Sequence, residues 1–240
     1  MQVHRDHLQL RIDTVEQVAP WVRRFSVSAA DAGLLPEFAC GDRFEVQLAE
    51  GVWCPFSLTG SPHVRHRYQF VVRGKERSHP SSTHALFHDA VAGAPLLAGL
   101  PAPGLALAAG AGPHIFIAGG VGLTAVAAHI QWLARQRFAA QLHYACHAPM
   151  LGLADALGLA GAVSARCYVS ERGQRLDPQA LLTGLPTSAH LYVCGPVTLV
   201  ESVVRTAIAL HWPMAQVHWD QAVRLRIAWP DLAPPLDMAA

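Results

Sequence analysis

The sequence has few charges and no long hydrophobic run, and both shortages limit what the chain can be. Charged residues make up 15% of its 240 residues, hydrophobic residues make up 52%, and the formal net charge is +1. A nearly neutral chain exerts no long-range attraction on nucleic acid. No apolar run approaches the roughly 18 residues of a membrane-spanning helix, and the N-terminal residues lack a signal-peptide core. We therefore expect a cytoplasmic protein with a large core and no nucleic-acid or membrane partner.

Cysteine and histidine are present without the spacing of a metal site. The five cysteines are odd in number and widely separated: Cys40, Cys54, Cys146, Cys167 and Cys194. This spacing argues against a disulfide framework and a zinc site, and no C-x4-C-x2-C segment of a plant-type iron–sulfur centre is present. The 14 histidines are scattered, with no His-Glu-x-x-His pair. The sequence thus predicts no bound metal.

The hydrophobic pattern changes near the middle of the chain. Up to residue 110 it favours short strands separated by turn residues, which is typical of a small antiparallel β-barrel. From His114 onward strands alternate with helices, which indicates a Rossmann-like parallel sheet with crossover helices. The predicted strands of the second half are 115–118, 141–146, 165–169 and 190–194, and its helices are about 124–137, 177–184 and 197–210. The predicted fold class is β + α/β, with domains at 1–110 and 111–226 and a loose tail at 227–240.

The most informative segment is a short apolar run that stops at three glycines in four residues. It reads His114-Ile-Phe-Ile-Ala-Gly-Gly-Val-Gly-Leu-Thr124, and a helical pattern follows it. Glycines let a backbone approach a ligand closely, and a helix N-terminus attracts an anion; the alternative is a plain strand-to-helix turn. Because ligands of parallel sheets bind where strands end, we expect this segment and Cys194-Gly-Pro196 to line one crevice.

The order of these features resembles the ferredoxin–NADP reductase superfamily, in particular the reductases of phthalate dioxygenase and vanillate demethylase. The resemblance rests on a β-barrel half followed by Pro55-Phe-Ser57, Gly119-Gly-Val-Gly-Leu-Thr124 and Cys194-Gly-Pro196, and it covers about residues 8–222. It implies a flavin-binding barrel, a nicotinamide-binding α/β domain and an enzyme that is the reductase component of a multicomponent oxygenase. The chain stops about where the family's fused [2Fe–2S] domain would begin. The expected electron acceptor is therefore a separate [2Fe–2S] protein, a terminal oxygenase subunit, or both.

On the barrel side, the resemblance implies a flavin site around Cys54-Pro-Phe-Ser57. Ser57 matches a serine that hydrogen-bonds near flavin N5, and Phe56 matches a tyrosine that packs on the ring. Cys54 stands where the family has an arginine, so a bidentate phosphate donor is missing. The alternative interpretation of this segment is an ordinary buried strand.

A second flavin element is implied at Ser81-Ser82-Thr83, where related reductases carry Gly-Gly-Ser at a helix start that binds the FMN phosphate. Thr83 also suits the N-cap of a helix over 84–90. Val72 precedes this element, and Arg73, Lys75 and Arg77, just upstream, could supply the missing positive charge. The alternative interpretation of this segment is a plain helix cap beside a solvated basic loop. Because these residues differ from the family pattern, weak or absent flavin binding also stays open.

The nicotinamide side is assigned by the same resemblance. Gly119, Gly120, Gly122 and Thr124 match the pyrophosphate and nicotinamide loop, and Gly195 and Pro196 follow the second strand end. Cys194 matches the cysteine beside nicotinamide C4 and flavin N5, and Asp220 stands in place of a glutamate near it. Ser57, Cys194 and Asp220 are the candidate catalytic residues.

The cofactors expected from the resemblance are FMN, with FAD as the alternative, and NADH, with NADPH as the alternative. FMN follows from the match at residues 81–83, and NADH from the preference of the resembled reductases. Arg172 could reach a 2′-phosphate, although Glu171 is beside it. Two other functions stay open: a stand-alone flavin reductase, and a non-catalytic subunit that keeps the fold.

Overall fold

The N-terminal half forms a six-stranded antiparallel sheet. The computed structural model describes residues 7–48, 51–75, 82–109 and 112–220. The strands of this half are β1 (His7–Ala19), β2 (Val22–Ala29), β3 (Arg43–Gln47), β4 (Trp53–Ser57), β5 (Tyr68–Arg73) and β6 (Pro95–Gly99), with a short helix α1 (His84–His88) after β5. Their order in the sheet is β4-β3-β6-β1-β2-β5.

The two end strands of this sheet, β4 and β5, approach each other. The Thr59 backbone N–H donates to the Gln69 carbonyl at 2.8 Å, and the Phe56 and Phe70 rings pack with centroids 5.2 Å apart. Along β3, buried Phe44 and Val46 alternate with half-buried polar residues, as the period of two in a strand requires. The sheet therefore curls around one hydrophobic core, as a small barrel does.

The C-terminal half is a five-stranded parallel sheet with helices. Its elements are β7 (His114–Gly119), α2 (Thr124–Gln136), β8 (Ala140–Cys146), α3 (Gly152–Ala156), β9 (Ser164–Val169), α4 (Pro178–Thr183), β10 (His190–Cys194), α5 (Val197–Ala209) and β11 (Val217–Trp219). The order is β11-β10-β7-β8-β9. All six residues of β7 are buried, because helices cover both faces of the sheet.

The predicted elements of this half agree with the structure to within one residue at each end. The short elements α3 and β11 were not predicted, because five and three residues are too few to show a period. Gly99 ends the last strand of the first sheet and His114 begins the second sheet, on either side of the predicted boundary at 110. The predicted tail at 227–240 lies outside the described residues.

Helix α2 connects the two halves through a buried histidine. The His129 ring is fully buried, and its Nε2 lies 2.8 Å from the Leu105 carbonyl oxygen. Burial lowers the pKa of His129 to about 4, so the ring is neutral and Nε2–H donates to that carbonyl. No helix in the described parts of the chain is long and apolar enough to cross a membrane.

Candidate active site

A cleft of about 960 Å³ lies between the two sheets, at the carboxyl ends of the parallel strands. Such strand ends are where ligands of open α/β sheets bind. Most of the predicted site residues line it: Ser57, Arg73, Gly119, Gly120, Gly122, Thr124, Cys194, Gly195, Pro196 and Asp220. Residues more than 100 positions apart in the sequence thus meet in one cleft.

Four predicted flavin residues on strands β4 and β5 do not line the cleft: Cys54, Pro55, Phe56 and Val72. Val72 has no exposed surface and belongs to the barrel core. Phe56 is half-buried and packs against the barrel core, and Pro55 is exposed on β4. Of the predicted segment 54–57, only Ser57 faces the cleft.

The predicted phosphate element is only partly described, since Ser81 lies outside the described residues. Cys54 is half-buried and hydrogen-bonded to the Ser82 side chain, and burial raises the pKa of its thiol. Thr83 occupies the N-cap of α1 but makes no capping hydrogen bond; its hydroxyl donates to the Arg73 carbonyl at 3.1 Å. Thr83 is therefore the N-cap residue as predicted, without the side-chain hydrogen bond that usually accompanies this position. Helix α1 also ends at residue 88 and does not reach residue 90.

The α/β wall of the cleft is a close contact between glycine backbones. A Cβ atom on Gly122 would lie 2.6 Å from the Cα of Gly195, and a Cβ on Gly195 would lie 2.8 Å from the Cα of Gly119. Gly120 has φ +53° and open space where a side chain would stand. A nicotinamide nucleotide fits this wall, because exposed backbone at the start of α2 can bind an anion. The Thr124 hydroxyl donates to the Val121 carbonyl at 2.9 Å and so stabilises the turn.

Cys194 and Asp220 meet at the floor of the cleft. Cys194 is 2% exposed, and burial, with a smaller effect of the Asp220 carboxylate, raises the pKa of its thiol well above the usual value. The thiol is therefore protonated at neutral pH. Asp220 accepts a hydrogen bond from Arg43 Nη1 at 3.2 Å. Sequence reasoning missed Arg43, because nothing in its local pattern distinguishes it from other polar residues of an alternating strand.

A polar cluster around Glu171 borders one end of the cleft; its His147 and Ser170 line the cleft, whereas Glu171 itself does not. The Glu171 carboxylate accepts from the Ala148 N–H at 2.9 Å and lies 2.8 Å from His147 Nδ1. The Ala148 hydrogen bond is the main reason that the pKa of Glu171 falls to about 2. Arg175 lines the cleft, whereas the predicted Arg172 does not. His147, Ser170 and Arg175 were missed, although the rule that ligands meet strand ends points to the loops after β8 and β9.

The cleft thus has a β-barrel on one side and a glycine-lined parallel sheet on the other. This arrangement is that of the ferredoxin-reductase-like modules, a class that binds flavin and pyridine nucleotide. The phthalate dioxygenase reductase structure, described as modular for electron transfer from pyridine nucleotides to [2Fe–2S], aligns with a TM-score of 0.77 and 22% identity. The alignment covers 89% of this chain and 67% of that one. No protein-family model matches the chain.

Two relatives are 32% identical in sequence. One is the heme-dependent oxidative N-demethylase beta subunit of Ectopseudomonas mendocina (strain ymp), matched over 216 residues, or 89% of this chain and 68% of that protein. The other is the carnitine monooxygenase reductase subunit of Escherichia coli (strain K12), matched over 218 residues with the same coverage. The chain belongs to the family of oxidoreductases that serve as reductase subunits of oxygenase systems.

Proposed function

We propose that this protein is the flavin-dependent NAD(P)H reductase component of a multicomponent oxygenase. The observation that carries the proposal is the meeting of Ser57 from the barrel with Cys194 and the glycine wall in one cleft. A bound flavin would accept a hydride from the nicotinamide and release electrons singly. The protein's task is then to align two ring systems and exclude water, which needs rigid positioning more than reactive groups.

Each wall has a separate task in this proposal. The backbone that lines the cleft at Gly119, Gly120 and Gly122 binds the nicotinamide nucleotide, and the Ser57 hydroxyl hydrogen-bonds the flavin ring edge. The neutral, buried Cys194 thiol packs against the reacting rings without introducing a charge. Arg73, exposed at the cleft, binds the flavin phosphate in place of the arginine that Cys54 replaces.

We propose FMN as the flavin. The match at residues 81–83 supports a phosphate close to the start of α1, with Arg73 as its cation. Acid extraction of the purified, flavin-loaded protein followed by chromatography identifies the flavin. FAD as the sole species would overturn this choice and leave the reductase proposal intact.

We propose NADH as the preferred electron donor. The low pKa of Glu171 keeps its carboxylate ionised, beside His147 and Ser170, which line the cleft. An ionised carboxylate accepts hydrogen bonds from a ribose 2′-hydroxyl and repels a 2′-phosphate. Steady-state kinetics should give a higher kcat/KM with NADH than with NADPH, and the reverse ratio contradicts the proposal.

We propose a separate [2Fe–2S] protein, or an oxygenase subunit that carries such a centre, as the electron acceptor, docked on the barrel half. With NADH and cytochrome c the chain should turn over slowly, and the cognate iron–sulfur protein should accelerate turnover greatly. Full-speed transfer to the terminal oxygenase in a system without any iron–sulfur centre would refute this partner. A cytoplasmic location remains a prediction.

One observation favours a second candidate, a non-catalytic subunit that keeps the reductase fold. Cys54 replaces the phosphate-binding arginine, and its thiol is hydrogen-bonded to Ser82, one of the residues expected to bind the phosphate. Reconstitution with FMN distinguishes the two candidates. A reductase retains flavin absorbance near about 450 nm after desalting and bleaches when NADH is added; a protein that stays colourless and oxidises no nicotinamide is the non-catalytic subunit.

A further inference from the structure

The floor of the cleft contains an ion pair that joins the two halves of the chain. Arg43, the first residue of β3, places its Nη1 atom 3.2 Å from Oδ1 of Asp220, which follows β11. Their side chains are 33% and 28% exposed, so the pair is largely shielded from water. Asp220 lines the cleft, whereas Arg43 does not.

The surroundings of this pair connect it to the proposed reaction centre. Arg43 lies opposite Ser57 in the β3–β4 register, and Ser57 lines the cleft. On the other side, Asp220 and Cys194 both line the cleft. The ion pair therefore joins the barrel strand next to Ser57 to the part of the α/β half that contains Cys194.

We infer that Arg43 is a positioning residue that fixes the Asp220 carboxylate at the floor of the cleft and keeps Ser57 and Cys194 in register across the two halves. Without Arg43, the Asp220 carboxylate loses its hydrogen bond from the barrel half. The two halves then separate more often at this point, and Cys194 becomes accessible. The inference rests on the proposed function only for its effect on the reaction rate.

The first test needs no cofactor. Cys194 is 2% exposed, so a small thiol reagent reaches it only when the cleft opens locally. In flavin-free protein, peptide-resolved labelling with N-ethylmaleimide should modify Cys194 about fivefold faster in Arg43→Gln, the change expected for loss of about 1 kcal/mol. Labelling of Cys167, which is exposed in the native fold, should not change.

The matched control is Arg65→Gln, which removes another arginine of the N-terminal half from an ion pair of the same length, 3.2 Å to Glu37 Oε1. It should leave Cys194 labelling at the wild-type rate. Asp220→Asn should accelerate labelling as Arg43→Gln does, and the double variant should add nothing further, since both changes break one contact. Wild-type labelling in Arg43→Gln, or equal acceleration in Arg65→Gln, overturns the inference.

If Arg43→Gln does not fold, Arg43→Lys decides the question. It retains the charge on a different head group, so Cys194 labelling should rise less than twofold, and a rise of fivefold or more with a wild-type unfolding midpoint overturns the role of the charge.

In flavin-loaded protein, Arg43→Gln should lower kcat about tenfold with KM for the nicotinamide within twofold of wild type, because Arg43 does not line the cleft. A rise in KM alone contradicts the positioning role. Failure of the labelling test refutes Arg43 alone, whereas a wild-type protein that reduces no flavin refutes the proposed function and leaves the labelling result standing.

Discussion

The two walls of the cleft are built in different ways. The α/β wall consists of backbone, in which Gly119, Gly122 and Gly195 approach so closely that an added Cβ atom at any of them meets another atom at 2.8 Å or less. The barrel wall consists of side chains, among them Ser57 and Arg73. The resemblance to known reductases is retained in the glycines of the first wall and altered near the second, where Cys54 and Ser82, which do not line the cleft, replace residues of the family pattern.

This difference shows which parts of such a site can change. A backbone contact with no space for a methyl group leaves glycine as the only residue that fits, whereas a side chain that binds a phosphate can be replaced if another cation reaches the same place. Substitutions on the α/β wall should therefore act through geometry. Those on the barrel wall should act through charge and affinity.

The largest effect is expected from Gly122→Ala on the α/β wall. The new methyl group would lie 2.6 Å from the backbone of Gly195, and such overpacking costs about 1–3 kcal/mol of unfolding free energy. Displacement of the strand end by about 1 Å should also slow NADH-driven flavin reduction by about 100-fold. Urea unfolding and stopped-flow absorbance measure the two effects. Gly99→Ala is the control, since its Cβ would meet only ordinary contacts at 3.9 Å; equal behaviour of the two variants would refute the rigid-wall interpretation.

Cys194→Ala should have the next largest effect. Removal of the buried thiol leaves a gap beside the proposed reacting carbon, so the hydride-transfer rate should fall about tenfold while the Kd for NADH changes less. Stopped-flow reduction over a range of NADH concentrations separates the two quantities. Cys167→Ala, on an exposed position of β9, is the control. Reduction by the Cys194 variant at wild-type speed contradicts the prediction.

On the barrel wall, Cys54→Arg and Arg73→Gln should change flavin affinity in opposite directions. A charged hydrogen bond to a phosphate contributes about 1.5 kcal/mol or more, so FMN should bind about tenfold tighter in the first variant and about tenfold more weakly in the second. Quenching of flavin fluorescence during titration of the flavin-free protein gives both Kd values. Arg67→Gln, an exposed arginine outside the cleft, should bind like wild type. Unchanged affinity in both test variants would show that the phosphate lies elsewhere.

The smallest effect is expected from Glu171→Gln, which belongs to neither wall and contacts His147 and Ser170 at the edge of the cleft. Loss of an exposed charge should raise the NADPH-to-NADH ratio of kcat/KM about threefold, because surface charges act weakly in water. In the folded protein the pKa of Glu171 is lowered to about 2. Its carboxylate is therefore ionised and becomes protonated only as the pH falls toward 2. Glu171 therefore stays ionised between about pH 5 and pH 8, and the KM for NADH should not follow a titration of this group in that range. Glu37→Gln, which changes an exposed ion pair, is the control, and an unchanged NADPH-to-NADH ratio in Glu171→Gln would argue against Glu171.

Local pattern was sufficient for the elements that have a long, regular period. The helix α2 was predictable because Val126, Ile130 and Leu133 lie on one buried face. The strand β7 was predictable because its apolar run ends abruptly at glycine. The same kind of argument included Val72 in the flavin site, whereas the structure buries it in the barrel core. Alternation of side chains along a strand separates its residues into two faces. It does not show which face points into the barrel core and which points to a neighbouring domain.

The amino-acid sequence by itself determined the two-part fold, the glycine wall and the position of Cys194 at a strand end, because each depends on residues that are near one another in the chain. Only the tertiary structure decided which polar groups meet across the cleft. Arg43 donates a hydrogen bond to Asp220, which is 177 positions away in the sequence. The Thr83 hydroxyl donates to the Arg73 carbonyl and makes no capping hydrogen bond to helix α1. Such partners are set by how two sheets pack against each other, and that packing is the sum of many apolar contacts that no short motif encodes.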